Sequence, residues 1–291
     1  MRETQIIDRI RGLARVRHPS VVRGIGDDCA ILRPRPNEDL VFTSDFVLED
    51  RHFTLETHTA ARVGHKALAR SLSDVAAMGA EPVFCLVSLA VPAARGARWI
   101  QRFYKGFLAL ADQFAIPLAG GDLARFDKVV VDVMCCGRLP RGEAMLRSAA
   151  KPGDRIYVTG QLGEAAHSAW RRPLLPEPRI AAGVALRRLG VVAAIDLSDG
   201  LSLDLARLCR ESKVSAELSA NLPVARGASL DDALHGGEDY ELLFAAPSGK
   251  RIPAAIGSLR VTPIGVITRG HPGQVKLDGR PIPTKGFDHF A

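Results

Sequence analysis

One strand-to-helix junction in the second half of the chain reads Ile195-Asp196-Leu197-Ser198-Asp199-Gly200. The apolar residues around its start predict a strand over 193–197, and the periodic pattern after it predicts a helix over 201–211. Strands and helices alternate in this way along most of the chain, which predicts a mixed α/β fold. Ligands of open α/β sheets bind beyond strand ends, so the acids at this junction are candidate ligand contacts.

The chain is predicted to have two domains of similar size. Two turn signals, Pro140-Arg141-Gly142 and Lys151-Pro152-Gly153-Asp154, lie close together near its middle. We therefore divide the chain into an N-terminal domain, 1–139, and a C-terminal α/β domain, 140–291. Within the first domain the patterns predict helices at 3–13, 59–78 and 97–114, a strand at 83–91, and a short strand at 118–119 that leads into a loop, Gly120-Gly121-Asp122.

Composition excludes several classes of protein. The 291 residues are 47% hydrophobic, which is enough for substantial cores and too much for a disordered chain. No apolar run reaches the roughly 20 residues of a membrane helix, and the N-terminus has no signal-peptide pattern, so we expect a cytoplasmic protein. Five scattered cysteines without a C-x-x-C pair argue against structural zinc. The adjacent pair Cys135-Cys136 lies in an apolar run and is interpreted as packing residues.

The net charge of +7 raises the possibility of nucleic-acid binding. The arginines are dispersed, however, and no block of five or more like charges occurs. Aromatic residues, at 5%, are too few for an extended base-stacking surface. We expect no nucleic-acid partner and retain a basic binding module only as a minor alternative.

The positions of the acidic residues carry most of the functional information. Acids follow apolar segments, beside Gly, Ser or Thr, at six places along the chain: Asp27-Asp28, Asp45, Asp74, Asp122, Asp196 with Asp199, and Glu238-Asp239. Any one of them alone is typical of a helix cap or a turn. Together they predict a carboxylate cluster, which would repel itself unless cations occupied it. Mg²⁺ suits such hard oxygen ligands, and the neighbouring glycines allow phosphate to approach the backbone.

Familiar nucleotide motifs do not explain this arrangement. The chain contains no G-x-x-x-x-G-K-[ST] loop, no protein-kinase signature and no H-E-x-x-H motif. Gly24-x-Gly26-x-x-Cys29 lacks the third glycine of a dinucleotide fingerprint. The residues therefore favour metal-assisted phosphoryl transfer or hydrolysis on an unusual scaffold.

The ordered series of motifs resembles the thiamine-monophosphate kinase family, in the superfamily of aminoimidazole-ribonucleotide synthetase. The matching stretches run from residue 24 to the C-terminus: Gly24-Ile-Gly-Asp-Asp-Cys-Ala30, Thr43-Ser-Asp45 with His52-Phe53, Lys66-Ala-Leu68, Leu72-Ser-Asp-Val-Ala-Ala-Met-Gly-Ala80, Gly120-Gly-Asp122, Arg147, Lys151-Pro-Gly-Asp154, Asp196-Leu-Ser-Asp-Gly-Leu201, Gly236-Gly-Glu-Asp-Tyr-Glu-Leu242 and Gly286-Phe-Asp-His-Phe290. The resemblance implies a two-domain fold like that of the synthetase, with a mixed sheet and helices in the N-terminal domain.

The resemblance also implies an activity and its site. The reaction is ATP-dependent phosphorylation of thiamine monophosphate to thiamine diphosphate, with several Mg²⁺ ions and a homodimer formed through the N-terminal domains. The implied metal ligands are Asp28, Thr43, Ser44, Asp45, Asp74, Asp122, Asp196 and Asp199. ATP would contact Gly121, Asp122, Arg147, Ser198 and Tyr104, and the substrate would contact His52, Glu238 and Phe287. Asp45, Asp122, Asp199 and Arg147 are the implied catalytic residues.

Some alternatives stay open at this point. Another ATP-dependent reaction of the superfamily, such as ring-closing synthesis or selenophosphate formation, would use a similar acidic site. A selenophosphate synthetase would be expected to carry a reactive Cys near its N-terminus followed by lysine, whereas Cys29 lies inside the Gly-Asp-Asp motif. The chain also departs from the family pattern at Asp50-Arg51, which adds charges directly before His52.

Overall fold

The computed structural model describes residues 3–14, 18–25, 30–167 and 175–287. These residues form two compact units. The first contains residues up to 75, 81–141 and 175–176, and the second contains 76–80, 142–167 and 177–287. The functional division into domains 1–139 and 140–291 stays a prediction. Among the helices of the described ranges, none has the length and apolarity needed to cross a membrane.

The first unit is built on a four-stranded sheet in the order β3-β6-β4-β5. Strand β6 is antiparallel to both of its neighbours, whereas β4 and β5 are parallel. A separate two-stranded ribbon, β1-β2, lies outside this sheet. The elements of this part of the chain are α1 (Glu3–Leu13), β1 (Val21–Arg23), β2 (Ile31–Leu32), β3 (Glu38–Leu48), α2 (Ala60–Ala77), β4 (Glu81–Val91), a 3-10 turn (Ala93–Arg95), α3 (Gly96–Gln113), β5 (Leu118–Arg125) and β6 (Val130–Pro140).

Helices α2 and α3 approach each other at two glycines. A Cβ at Gly64 would lie 2.2 Å from the carbonyl oxygen of Phe103, and one at Gly106 would lie 1.9 Å from that of Ala61. The two helix backbones are therefore in contact, which only glycine permits at these positions. This close packing fixes α2, the helix that carries Asp74, within the first unit.

The second unit is built on a larger mixed sheet in the order β14-β13-β9-β12-β7-β10-β8, with β11 paired to β12. Its pairs are antiparallel except for β13 with β9. Helix α6 packs on this sheet over a core that includes Ile156, Ile195 and Leu205. The elements are β7 (Asp154–Thr159), α4 (Glu164–His167), α5 (Ile180–Arg188), β8 (Ala193–Asp196), α6 (Leu201–Glu211), β9 (Ser215–Leu218), α7 (Leu230–His235), β10 (Leu242–Pro247), β11 (Ala255–Ile256), β12 (Leu259–Thr268), β13 (Val275–Leu277) and β14 (Arg280–Pro281).

The mixed α/β prediction is confirmed, with one local correction in the first unit. The stretch Gly120-Gly121-Asp122 was expected to form a loop, but it lies inside β5. Its residues pair in parallel with β4, where Val87 is opposite Gly121 and Ser88 is opposite Asp122. Glycines normally weaken a strand, yet here the ladder with β4 compensates for their low strand propensity.

Candidate functional site

In the first unit, β3 and α2 bring three predicted metal ligands together. Thr43 and Asp45 are two residues apart on β3, so their side chains lie on the same face of the sheet. Asp74 on α2 meets both: its Oδ2 accepts a short hydrogen bond from the Thr43 hydroxyl, and its charge acts on Asp45. Burial, followed by the repulsion from Asp74, raises the pKa of Asp45 to about 6, although Arg70 lies 4.0 Å away and opposes the shift.

Ser44 is placed differently from its neighbours. Its hydroxyl donates to Asp132 Oδ1 at 2.6 Å, on the opposite face of the sheet from Thr43 and Asp45. A contact between Ser44 and a metal held by Asp45 and Asp74 would therefore have to use the backbone carbonyl. The predicted role of Ser44 as a ligand stays a prediction in that form.

Three predicted ATP contacts line one cavity of 80 Å³ in the first unit: Tyr104 from α3 and Gly121 with Asp122 from β5. A Cβ at Gly121 would lie 2.0 Å from the Val87 carbonyl oxygen, so the close approach of β4 and β5 requires glycine there. The Asp122 side chain is exposed, and its Oδ1 accepts from the Leu123 N–H at 2.9 Å. Tyr104 is buried, which raises its pKa.

His52 is buried. Its loop-like sequence context alone would have been equally compatible with a surface position. It follows a turn in which Asp50 adopts φ +66° and pairs with Lys128 at 2.9 Å. The Leu48 N–H donates to Nδ1 of His52 at 2.9 Å, so the exchangeable proton of the neutral ring is assigned to Nε2. The buried Lys66 ammonium donates to the His52 carbonyl at 2.5 Å.

In the second unit, backbone hydrogen bonds bring four predicted site residues together. The loop after β8 contains Ser198 and Asp199, and their carbonyl groups accept from Glu238 N–H at 2.7 Å and Phe287 N–H at 3.1 Å, respectively. Two glycines allow this approach. A Cβ at Gly237 would lie 2.7 Å from the Ser198 oxygen, and one at Gly286 would lie 2.5 Å from the Asp199 oxygen.

The same loop is held by two residues that the sequence analysis did not single out. Asp204 Oδ2 accepts from the Asp199 and Gly200 N–H groups at 2.9 and 3.1 Å. Arg207 binds both Asp199 and Asp204, and its bond to Asp204 Oδ1 is 2.8 Å long. Burial raises the pKa of Asp204 to about 6. The available sequence signal was the spacing of Asp204 and Arg207, which puts them on one face of α6.

The remaining predicted residues have simpler surroundings. Asp196 is buried at the end of β8. Arg147 has an exposed side chain, and its carbonyl accepts from Ser212 Oγ at 2.7 Å. Asp28 lies outside the described residues. Asp239, the neighbour of Glu238, accepts from the Gly163 N–H at 2.8 Å before α4, and burial raises its pKa to about 7.

The donor chemistry of the first unit fits a hard cation. A hydroxyl and two carboxylates converge at Thr43, Asp45 and Asp74. Burial, and after it the repulsion from Asp74, raises the pKa of Asp45, and a bound cation would offset both effects because it favours the charged carboxylate. No group of three or more His, Cys, Asp and Glu side chains in the part of the chain that the structure describes is arranged to hold a metal by itself. Water and phosphate oxygens would therefore have to complete the coordination, as Mg²⁺ commonly allows.

Known proteins resemble this chain over nearly its whole length. Residues 26–139 match the family described as AIR synthase related protein, N-terminal domain. Thiamine-monophosphate kinase of Salmonella typhimurium (strain LT2) is 37% identical, with 99% of this chain and 98% of the relative covered. The crystal structure of thiamine-monophosphate kinase from Stenotrophomonas maltophilia K279a has a TM-score of 0.84 at 37% identity, with 97% and 98% of the two chains covered. A structure of AaThiL complexed with AMPPCP and TMP has a TM-score of 0.80 at 27% identity, with 100% of this chain and 99% of that chain covered.

Proposed function

This chain belongs to the thiamine-monophosphate kinase family, and from this membership we propose that it transfers a phosphoryl group from ATP to thiamine monophosphate, giving thiamine diphosphate and ADP. Full-length similarity to kinases of this name is the observation that carries the proposal. The complex of AaThiL with AMPPCP, an ATP analogue, and TMP supports both substrates. The groupings of polar residues within each unit are consistent with it.

The chemistry requires positioning more than a strong base. The second pKa of a phosphate monoester is about 6, so the acceptor is already largely anionic and nucleophilic at neutral pH. The main obstacle is the repulsion between two polyanions. Mg²⁺, when bound, would supply charge neutralisation and help to align the reacting groups in line. Acid-rich surroundings with few conventional bases suit that task.

We assign the metal and nucleotide roles as follows. In the first unit, Mg²⁺ would be held by Thr43, Asp45 and Asp74. Asp122 and the backbone carbonyl of Ser44 would be further ligands there. Asp28 is the last ligand of the proposed set in this part of the chain. Asp196 and Asp199 would hold Mg²⁺ in the second unit. Gly121, Asp122, Tyr104, Ser198 and Arg147 would contact ATP. The residues nearest the transferred group, and so catalytic, would be Asp45, Asp122, Asp199 and Arg147.

The substrate assignment rests on His52, Glu238 and Phe287. Phe287 offers a ring for stacking, and Glu238 offers a carboxylate to a cationic thiazolium. His52 would donate from Nε2, because its Nδ1 is occupied by the Leu48 N–H. Glu238 adopts φ +67°, a conformation that a non-glycine residue rarely holds without support. The hydrogen bond from the Glu238 N–H to the Ser198 carbonyl provides such support.

Glu238→Gln is expected to raise KM for thiamine monophosphate about 10-fold, since one charge-assisted contact is lost. KM for ATP should change less than about twofold, because the change preserves the side-chain shape and the backbone bond to Ser198. Steady-state kinetics with each substrate varied in turn would measure both constants. Glu211→Gln, an exposed substitution at the end of α6, is the matched control. Equal increases in both constants would contradict the substrate role of Glu238.

Product analysis is the direct test of the proposed reaction. Purified protein would be incubated with ATP and Mg²⁺, together with thiamine monophosphate, free thiamine or no acceptor. Thiamine diphosphate with stoichiometric ADP, formed only from the monophosphate, is the expected result. Acceptor-independent ATP hydrolysis, or no turnover by a folded protein, would contradict the proposal and favour another ATP-dependent reaction of the superfamily.

We also propose that the protein is a cytoplasmic homodimer that associates through the first-unit sheet. Phe42 and Phe46 on β3 are 60% and 58% exposed, on the face opposite Thr43 and Asp45. Two large exposed rings on one strand mark an interaction surface.

Cell fractionation tests the proposed cytoplasmic location, and recovery of the protein with membranes would contradict it.

Replacing both Phe42 and Phe46 with lysine is expected to convert the dimer to a monomer, since it puts charges into an apolar interface. Sedimentation equilibrium would measure the mass. Phe126→Lys, at a ring that is 54% exposed away from β3, is the control and should remain dimeric. A wild-type protein that is monomeric at micromolar concentration would refute the proposal.

A further inference from the structure

Ser202 is a fully buried polar residue in the first turn of α6. Its hydroxyl lies 2.7 Å from the carbonyl oxygen of Lys285 and 2.8 Å from Nδ1 of His235. These two partners come from α7 and from the segment that follows β14. One hydroxyl therefore joins three parts of the second unit.

The direction of these hydrogen bonds follows from counting protons. A carbonyl oxygen can only accept, so Ser202 gives its single proton to Lys285. The contact with His235 must then run the other way, from Nδ1–H to the serine oxygen. The hydrogen bonds thus run in one direction, from His235 to Ser202 and from Ser202 to the Lys285 carbonyl, which is the final acceptor.

Both ends of this chain lie close to residues assigned to the substrate. His235 is the last residue of α7 and directly precedes Gly236-Gly237-Glu238. Lys285 is two residues before Phe287, whose N–H binds the Asp199 carbonyl. The hydroxyl of Ser202 therefore connects the backbone that carries Glu238 with the backbone that carries Phe287.

We propose that Ser202, oriented by His235, is a positioning residue for thiamine monophosphate, which holds the 283–287 segment so that Phe287 stays beside Asp199 and the Glu238 loop. The proposal rests on the substrate roles of Glu238 and Phe287 in the proposed function. It adds a residue that touches neither substrate and acts through the segment that it holds.

The same three residue types also invite a different interpretation, because a serine, a histidine and an aspartate form the hydrolase triad. Here the serine is inaccessible to a substrate and donates its proton to a carbonyl group. Asp231 lies 3.9 Å from His235 Nε2, and its side chain is 86% exposed. Both observations favour a structural link over a nucleophile.

Trypsin provides a direct measurement of the link, because the carbonyl that Ser202 holds belongs to the Lys285–Gly286 peptide bond. Lys285 has an exposed side chain, and cleavage after it would release residues 286–291. Release of that peptide from the 291-residue chain would be followed by mass spectrometry. Ser202→Ala removes both contacts of the hydroxyl with Lys285, the bond that it donates to the carbonyl at 2.7 Å and the one that it accepts from the N–H at 3.3 Å. The substitution is expected to accelerate release at least about fivefold. Ser215→Ala, which removes another buried hydroxyl of this unit bonded to Thr268, should leave the rate within about twofold.

Kinetics then separates positioning from a merely structural role. Ser202→Ala should raise KM for thiamine monophosphate at least about fivefold and leave KM for ATP within about twofold. Ser202→Thr, which keeps the hydroxyl, should restore the wild-type constants. Hydrogen exchange of the Phe287 amide gives a second readout that needs no turnover, and exchange should be faster in Ser202→Ala.

Several results would overturn the proposal. Unchanged peptide release and unchanged exchange in Ser202→Ala would show that the hydroxyl does not hold the segment. Faster release with unchanged KM values, or with equal increases in both, would show that the segment does not position thiamine monophosphate. Failure of the wild-type protein to phosphorylate thiamine monophosphate would instead refute the proposed function, and with it the substrate role of Ser202, while the trypsin result would still report on the link.

Discussion

Asp74→Asn is expected to reduce turnover at millimolar Mg²⁺ about 100-fold or more, because it removes a charged ligand from the proposed metal site. Asp74 is the residue that both Thr43 and Asp45 meet in the first unit. Asparagine keeps an oxygen that accepts from the Thr43 hydroxyl, so the fold should be retained, with Tm within about 3 °C of the wild type. Activity measured across a Mg²⁺ titration, together with thermal unfolding, tests both expectations.

Asp132→Asn is the matched control for this substitution. Asp132 lies on β6, the strand paired with β3, and also accepts from a β3 hydroxyl, but on the opposite face of the sheet from Thr43 and Asp45. Its neutralisation should leave the Mg²⁺ dependence of turnover unchanged. The metal role of Asp74 would be refuted if Asp74→Asn retained wild-type activity at every Mg²⁺ concentration.

Gly121→Ala should strongly destabilise the first unit, with an expected loss of about 3 kcal/mol in the free energy of unfolding. The new Cβ would lie 2.0 Å from the Val87 carbonyl oxygen, and the backbone at Gly121 has φ +155°, which side chains disfavour. Relief of the clash would have to separate β4 from β5. That movement would displace Asp122, so KM for ATP should also rise.

Gly12→Ala is the control, because it adds the same methyl group at a position where the side chain has room. Apart from the chain neighbours of Gly12 and the backbone of helix α1, which contains it, none of the residues that the structure describes has an atom within 4 Å of a Cβ at this position. The free energy of unfolding should rise by up to about 1 kcal/mol, because alanine favours a helix. Urea unfolding of both variants measures the contrast. Equal changes in the free energy of unfolding of the two variants would show that β4 and β5 tolerate a side chain at Gly121.

The sequence predicted the mixed α/β character and pointed to the polar loop after β8, because both depend on local patterns. Apolar runs give strands, and the residues directly after a strand lie at its end. The alternation along β3 also contains the information that Thr43 and Asp45 share one face while Ser44 lies on the other. The local pattern of residues therefore predicted which side chains share a face better than it predicted where the strands begin and end.

The missing features depend on contacts between distant parts of the chain. The extension of β5 through Gly120 and Gly121 depends on pairing with β4, which local propensity does not contain. Asp204 and Arg207 look like ordinary residues of an exposed helix until the loop that they hold is seen. Docking of the 283–287 segment on α6 likewise joins residues more than 80 positions apart.

Main-chain hydrogen bonds join the second-unit loops to one another, and this has a consequence for changing the substrate of the protein. The spacing of the three segments is set by backbone hydrogen bonds, from Glu238 to Ser198 and from Phe287 to Asp199. The side chains of Glu238 and Phe287 therefore contribute little to that spacing. Exchange of those side chains would alter the recognised shape and charge while the scaffold persisted. Variants that accept other phosphate substrates are therefore best sought by substitution at positions 238 and 287, while Gly237 and Gly286 are kept.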